Sequence, residues 1–280
     1  MIENQASTTA QGAATHRATH QLLDRPLVFE DPLALRIIGA EAEAELRSGR
    51  SRYTDPRIAR LRAFLAVRSR FTEDCLAAAG VPQYVLLGAG LDTYAYRSDL
   101  RRLAVFEIDH PATQEWKRDR LHDVGITIPE TVVFAPVDFE RETVQDGLSR
   151  AGFDFVKPTV VAWLGVVPYL SKDAVIETLR ILAKTLAAGS QIIFDYPSPP
   201  DELSVEERRT AIAFAARVAA AEEPLRTIFN PQELQGELAT AGLQAEDFNH
   251  ATLSGRYLIG RADGLALSRH AHIMRASIKS

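Results

Sequence analysis

Residues 84–97 read "YVLLGAGLDTYAYR". Tyr84 to Leu87 have the composition of a strand buried on both faces, Gly88 and Gly90 open a turn at its end, and Asp92 follows one residue past Leu91. A buried strand that ends in glycines marks the ligand edge of many open α/β sheets, because glycine lets backbone and ligand approach closely. The stretch reads as a phosphate cradle, as another nucleoside pocket, or as a plain tight turn.

The segments that follow narrow the fold. "LAVFEID", "TVVFAPVD", "TVVAWLGV", "SQIIFDY" and "RYLIG" come in order, most of them separated by segments of helical pattern. Short β-rich runs alternating with helices predict an α/β fold with a doubly wound, mostly parallel sheet. Upstream, Asp31–Pro32 and Asp55–Pro56 each place a capping carboxylate before a proline suited to a first helical position. Gly39 interrupts or ends the first of these helices, and Gly80 ends the second. The first twenty residues are small and polar, so order is expected from about Arg17. From Tyr196 to Asn230 the strand rhythm lapses into a proline-rich opening and an alanine-rich amphipathic helix, which reads as a lid beside the sheet. The expected organisation is one unit over 1–280, with an N-terminal helical segment at 15–80 and a lid insertion at 197–230.

Composition excludes several classes. The chain has 280 residues, 46% of them hydrophobic and 25% charged, with a formal net charge of −5. That balance suits one large core and gives no overall basic field, so nucleic acid is not expected as a partner. No apolar run approaches the roughly 20 residues of a membrane span, and the N-terminus lacks the apolar centre of a signal peptide, so a cytoplasmic protein is expected. The single cysteine, Cys75, falls on an apolar helical face with Phe71, Leu76 and Ala79 and reads as a core residue. The seven histidines are scattered, and no metal site is expected.

Residues just past each strand carry the functional signal. The first strand offers Gly88, Gly90 and Asp92, the second Glu107 and Asp109, the third Asp138, the fifth Asp195 and Tyr196. A glycine turn followed roughly twenty residues later by a carboxylate after the second strand is the arrangement that holds an adenosine ribose, and Asp109 meets it. A dinucleotide fingerprint also needs a third small residue, where this chain has Thr93, which disfavours pyrophosphate. S-adenosylmethionine fits better, having a ribose and adenine, no phosphate, and a positive sulfonium that suits an acidic pocket. A nicotinamide-dependent oxidoreductase and a catalytically silent binding protein on the same fold remain as alternatives.

"GAGLDTYAYR", then "FEIDHP", "VDF" and "WLGVVPYLS", resembles the leucine carboxyl methyltransferase family of S-adenosylmethionine-dependent enzymes. The resemblance runs from "THRATHQLLDRPLVFEDPLA" to "RYLIGRADG". It implies a Rossmann-like class I methyltransferase with S-adenosyl-L-methionine as cofactor. By it, Gly88, Ala89 and Gly90 approach the methionine part, Asp109 takes the ribose hydroxyls, and Asp138 and Phe139 flank the adenine. Arg68 faces the cofactor carboxylate, and Arg17 matches a second basic contact. Where many members have a glutamate before the fourth-strand glycine, this chain has Leu164, and Trp163 beside it offers an aromatic face or a core residue.

Tyr169 and Tyr196 are candidate acceptor contacts, with Tyr94 and Tyr96 as further ones. His110 reads as a turn or cofactor-shell residue rather than a general base. The expected reaction is O-methylation of a small-molecule carboxylate or hydroxyl; the sequence leaves the oligomeric state open. A carboxylate is already ionised at neutral pH and needs no base.

Overall fold

The computed structural model describes residues 7–97, 103–139 and 141–279. Strands β1 (Gln83–Leu87), β2 (Ala104–Asp109), β3 (Val132–Pro136), β4 (Thr159–Trp163), β5 (Gln191–Pro197), β6 (Leu243–Phe248) and β7 (Ala271–Ile278) form one sheet. Their order is β3-β2-β1-β4-β5-β7-β6. β1 to β5 run parallel, while β7 pairs antiparallel with both β5 and β6. The chain winds outward in both directions from the β1/β4 pair, and this reversal opens a crevice at the carboxyl ends of those strands.

Helices in chain order are α1 (Thr8–Leu23), α2 (Ala34–Ile37), α3 (Ala40–Arg47), α4 (Ala59–Ala79), α5 (Tyr94–Arg97) and α6 (Pro111–Asp123). They continue with α7 (Val144–Arg150), α8 (Lys172–Thr185), α9 (Val205–Ala220), α10 (Pro231–Thr240) and α11 (His250–Tyr257). Alternate strand residues feed two cores, as the two-residue period of a strand requires. Val85, Leu87, Ile108, Val161, Trp163 and Phe194 pack on one face. Tyr84, Leu86, Val105, Ala162 and Ile193 pack on the other, against Ala63, Val67 and Phe71 of α4, with Cys75 buried among them. A third cluster joins Ala14 and Ala18 of α1 to Ile37, Ile38, Leu46 and Leu91.

The expected helix starts are present in altered form. Asp31 Oδ1 accepts the Leu33 N–H at 3.0 Å ahead of the short α2. Asp55 accepts the Arg57 N–H at 2.9 Å, a 3-10 turn over Pro56–Ile58 leads into α4, and Gly80 ends α4 in the left-handed region.

Three expectations are corrected. Helix α1 already runs from Thr8, well ahead of Arg17 where order was expected, and Ser7 caps it by accepting the Ala10 N–H at 3.1 Å. "RYLIG" is not a strand: Arg256 and Tyr257 end α11, which starts on an Asn249 cap, and Leu253 and Leu258 face the core. The sheet instead gains β6 and β7, neither of which was expected. No helix among the described residues is long and apolar enough to cross a membrane.

Candidate active site

Glycine is required at the turn after β1. Gly88 has φ +74° and Gly90 φ +44°, a region L side chains rarely adopt. A Cβ on Gly88 would stand 2.3 Å from Val166 Cγ2, and one on Gly90 would stand 3.1 Å from the Ala10 Cβ. The turn is stitched to the end of β2: Gly88 and Ala89 donate their N–H groups to Ile108 O at 2.8 and 3.0 Å. Gly90 donates to Asp109 Oδ2 at 2.6 Å, and His110 donates to Asp109 Oδ1 at 2.8 Å. Burial raises the Asp109 pKa, and these two amide bonds oppose the rise.

Beside this turn lies an ion pair. Arg68 of α4 donates from Nη1 to Asp195 Oδ2 at 2.7 Å, and the Gly165 N–H donates to Asp195 Oδ1 at 2.6 Å. Arg68 is 9% exposed and Asp195 4%. Gly165, at φ +71°, is obligatory, since a Cβ there would meet the Arg68 Nη atoms at 2.9 and 3.0 Å.

α1 lies across the turn. Arg17 is buried and donates from Nη2 to Leu91 O at 2.6 Å, so here it braces the glycine loop. Thr93, in the third-glycine position, is buried and donates its hydroxyl to Asp31 Oδ2 at 2.7 Å. Glu223, just past α9, accepts from the Thr9 N–H at 3.0 Å and the Thr8 hydroxyl at 3.1 Å, tying the segment after α9 to the start of α1. Tyr169 lies near: burial and the Glu223 carboxylate push its phenol up to about 12, with Arg68 opposing and Asp195 adding to the rise. His16 of α1 is pushed down to about 3 by burial and by the Arg62, Arg217, Arg52 and Arg68 charges.

Other candidates fall outside this group. Trp163 is 2% exposed and packs with Phe194 on the sheet face opposite α4. Tyr196 points to that same face and donates its hydroxyl to Asp247 at 2.6 Å, so neither ring joins Arg68 and Asp195. Leu164 packs on the α4 side. Glu107 is fully buried, its Oε2 2.7 Å from the Nζ of the equally buried Lys117, with the Tyr96 ring 5.2 Å from that nitrogen. It is a core ion pair. Tyr94 packs edge-on against Tyr84. His110 caps α6, its Nδ1 accepting the Ala112 N–H at 3.3 Å. Asp138 and Phe139 follow β3, with Asp138 Oδ2 3.3 Å from Arg141 Nε and Phe139 44% exposed. A cavity of about 540 Å³ is lined by Gln11, Thr15, Arg52 and Tyr53 among others, and by none of the turn residues.

The donor set discriminates between ligands. A pyrophosphate cradle needs free backbone amides, yet those of Gly88, Ala89, Gly90 and Asp92 are all bonded within the protein. What remains is the Asp109 carboxylate, the exposed Phe139 ring past β3, and the Arg68 guanidinium beside a carboxylate. This set fits S-adenosylmethionine.

Comparison with known proteins agrees. A model of the leucine carboxyl methyltransferase family matches residues 10–183. The "Putative S-adenosyl-L-methionine-dependent methyltransferase YktD" of Bacillus subtilis (strain 168) is 30% identical, the match covering 99% of each chain. Two crystal structures share the fold with a TM-score of 0.60 each: a DUF574 family protein of Streptomyces avermitilis, 15% identical, and a "putative methyltransferase" of Thermobifida fusca YX, 16% identical. The first match covers 99% of this chain and 100% of the other, the second 100% and 97%. The sheet is thus the Rossmann-like one of class I methyltransferases, and the chain belongs to the leucine carboxyl methyltransferase family of S-adenosylmethionine-dependent methyltransferases.

Proposed function

We propose that the chain methylates an oxygen of a small-molecule acceptor, a carboxylate in preference to a hydroxyl. Asp109 would hold the cofactor ribose, Gly88 to Gly90 its methionine part, Arg68 its carboxylate, and Asp138 and Phe139 would flank the adenine. Bound S-adenosylmethionine supplies a sulfonium methyl, whose transfer forms an O–C bond as the C–S bond breaks and leaves the electron pair on sulfur.

What supports the choice of acceptor is the burial and engagement of the groups that could serve as a base. Tyr169 is held protonated, with its pKa up to about 12, and His16 is held neutral and a poor base, at about 3. Neither takes a proton efficiently near neutrality, where general bases work best. His110 Nδ1 is engaged as a helix cap. An acceptor that arrives ionised needs only positioning and exclusion of water. Residues 197–230 are suited to that as a lid: the Arg226 and Thr227 N–H groups donate to Pro168 O at 2.7 and 3.2 Å, beside Tyr169, and Glu223 holds α1.

The test is the pH profile of single-turnover methyl transfer. A rate nearly flat from about pH 6 to 8 is expected, because carboxylates ionise near pH 4. A rate rising about tenfold per pH unit would mean a hydroxyl acceptor or a titrating base.

A further inference from the structure

Arg68 and Asp195 form a buried ion pair with a separation of 2.7 Å. Buried pairs of this kind are often replaceable by apolar residues without loss of stability. This one stands at the carboxyl end of β5, the Gly165 amide beside it belongs to the loop after β4, and that loop touches the glycine turn through Val166. Among the described residues each Asp195 oxygen accepts one hydrogen bond, from Arg68 and from Gly165, whereas a carboxylate oxygen has two lone pairs. Asp195 takes one of the five N–H donors of the Arg68 guanidinium. A cation and an anion with bonding capacity left over, side by side, complement one particular group: the zwitterion of a free α-amino acid, whose ammonium and carboxylate leave one carbon. The neighbouring Leu164 supplies no charge for that ammonium.

We propose that Asp195 accepts the α-ammonium of the cofactor's methionine part while Arg68 takes its α-carboxylate, the two acting as one clamp. This rests on the assignment of the glycine turn to S-adenosylmethionine. The clamp explains why Asp195 is buried against Gly165 instead of turned to solvent: both oxygens are fixed before the ligand arrives, so little side-chain freedom is lost on binding.

Calorimetry with three ligands tests it: S-adenosylhomocysteine, its deaminated analogue, and 5′-methylthioadenosine, which lacks the whole amino-acid group. Wild type is expected to bind S-adenosylhomocysteine at least about tenfold more tightly than the deaminated analogue, as loss of a charge-assisted bond implies. Asp195→Asn should lose about that factor for S-adenosylhomocysteine and less than about threefold for the other two. Equal losses on all three ligands, or no loss on any, would overturn the assignment. Should Asp195→Asn not fold, the wild-type ratio decides: equal affinity for S-adenosylhomocysteine and its deaminated analogue overturns the clamp alone. Wild type binding none of the three overturns the cofactor reading beneath it.

Discussion

Gly90 donates its backbone N–H to Oδ2 of Asp109 at 2.6 Å, so the turn after β1 and the carboxylate after β2 are held as one unit. The relationship orients the Asp109 carboxylate and uses the amide a phosphate would need. With Asp109 in its proposed role as ribose ligand, it also ties cofactor affinity to the ionisation of one buried group.

The first prediction concerns that ionisation. Burial raises the Asp109 pKa above its ordinary 3.8, and in the proposed role the ionised form would be the one to accept ribose hydroxyls. Affinity for S-adenosylhomocysteine is therefore complete above the raised value and falls as pH drops through it, sooner than for an unperturbed carboxylate. Asp109→Asn should bind more weakly and lose this dependence. Calorimetry from about pH 7 down to about pH 4 checks both, and a wild-type profile as flat as the variant's would remove Asp109 from the site.

A second prediction separates two glycines that share a left-handed backbone. Gly80 (φ +58°) has open space where a Cβ would go, while Gly88 (φ +74°) has Val166 Cγ2 at 2.3 Å. Gly80→Ala should cost about 1 kcal/mol from backbone strain alone. Gly88→Ala should add roughly 1–3 kcal/mol of overpacking, partly recovered in the Gly88→Ala/Val166→Ala double variant. Denaturant midpoints decide, and equal losses at the two glycines would refute the close approach of the turns.

The third prediction is acid sensitivity at the N-terminal helices. Arg62 grips Asp24 through two bonds of 2.8 and 2.9 Å, and His20 Nδ1 lies 2.7 Å from the same carboxylate. Val28 and Phe29 donate their N–H groups to His20 Nε2, which leaves the proton on Nδ1, facing Asp24. Burial raises the Asp24 pKa, but the Arg62 and His20 bonds outweigh it and bring the value from 3.8 to about 2. A depressed carboxylate stabilises the fold fully above its unfolded pKa and loses that contribution as pH falls through the folded one. The share is on the order of 2 kcal/mol. Wild type should therefore lose stability between about pH 4 and pH 2 beyond what Asp24→Asn loses there; parallel pH curves would contradict this.

How far the sequence was legible follows from the reach of each signal. β1, β2, β4 and β5 announce themselves because strands buried on both faces are continuously apolar. β6 and β7 do not: β6, "LQAEDF", lies at the sheet edge with its middle partly exposed, and β7 carries His272 and Arg275. "RYLIG" misleads because its β-rich composition follows a cap, Asn249, that lies outside the motif. The start of α1 has a local signal in its Ser7 cap, but its second tie, to Glu223, is too distant in sequence to be read. Spacing alone singled out Asp109, and the structure sets that carboxylate 2.6 Å from the Gly90 amide. Residue type did not show that Trp163 and Tyr196 pack on the face away from α4, although strand alternation sends Asp195 and Tyr196 to opposite faces. The partner of Asp195 lies 127 residues away on α4, and only the fold brings the two together.

A fourth prediction concerns exchange of the cofactor. Glu223 holds the first turn of α1, and the Ala10 Cβ of that helix stands 3.1 Å from where a Gly90 Cβ would be. Glu223→Ala should speed dissociation of S-adenosylhomocysteine about threefold, the equivalent of roughly 0.7 kcal/mol. Stopped-flow dissociation checks it. An unchanged rate would return Glu223 to stabilising a helix N-terminus.

The central claim is that the cofactor binds at the glycine turn through Asp109, and the most direct measurement is calorimetric titration of S-adenosylhomocysteine into wild type and Asp109→Ala. The account predicts micromolar or tighter binding by wild type. It predicts at least about tenfold weaker binding by a folded Asp109→Ala, from loss of two charge-assisted bonds worth roughly 1.5–3 kcal/mol each. Equal affinity in the two proteins, with the variant's thermal unfolding unchanged, would contradict it.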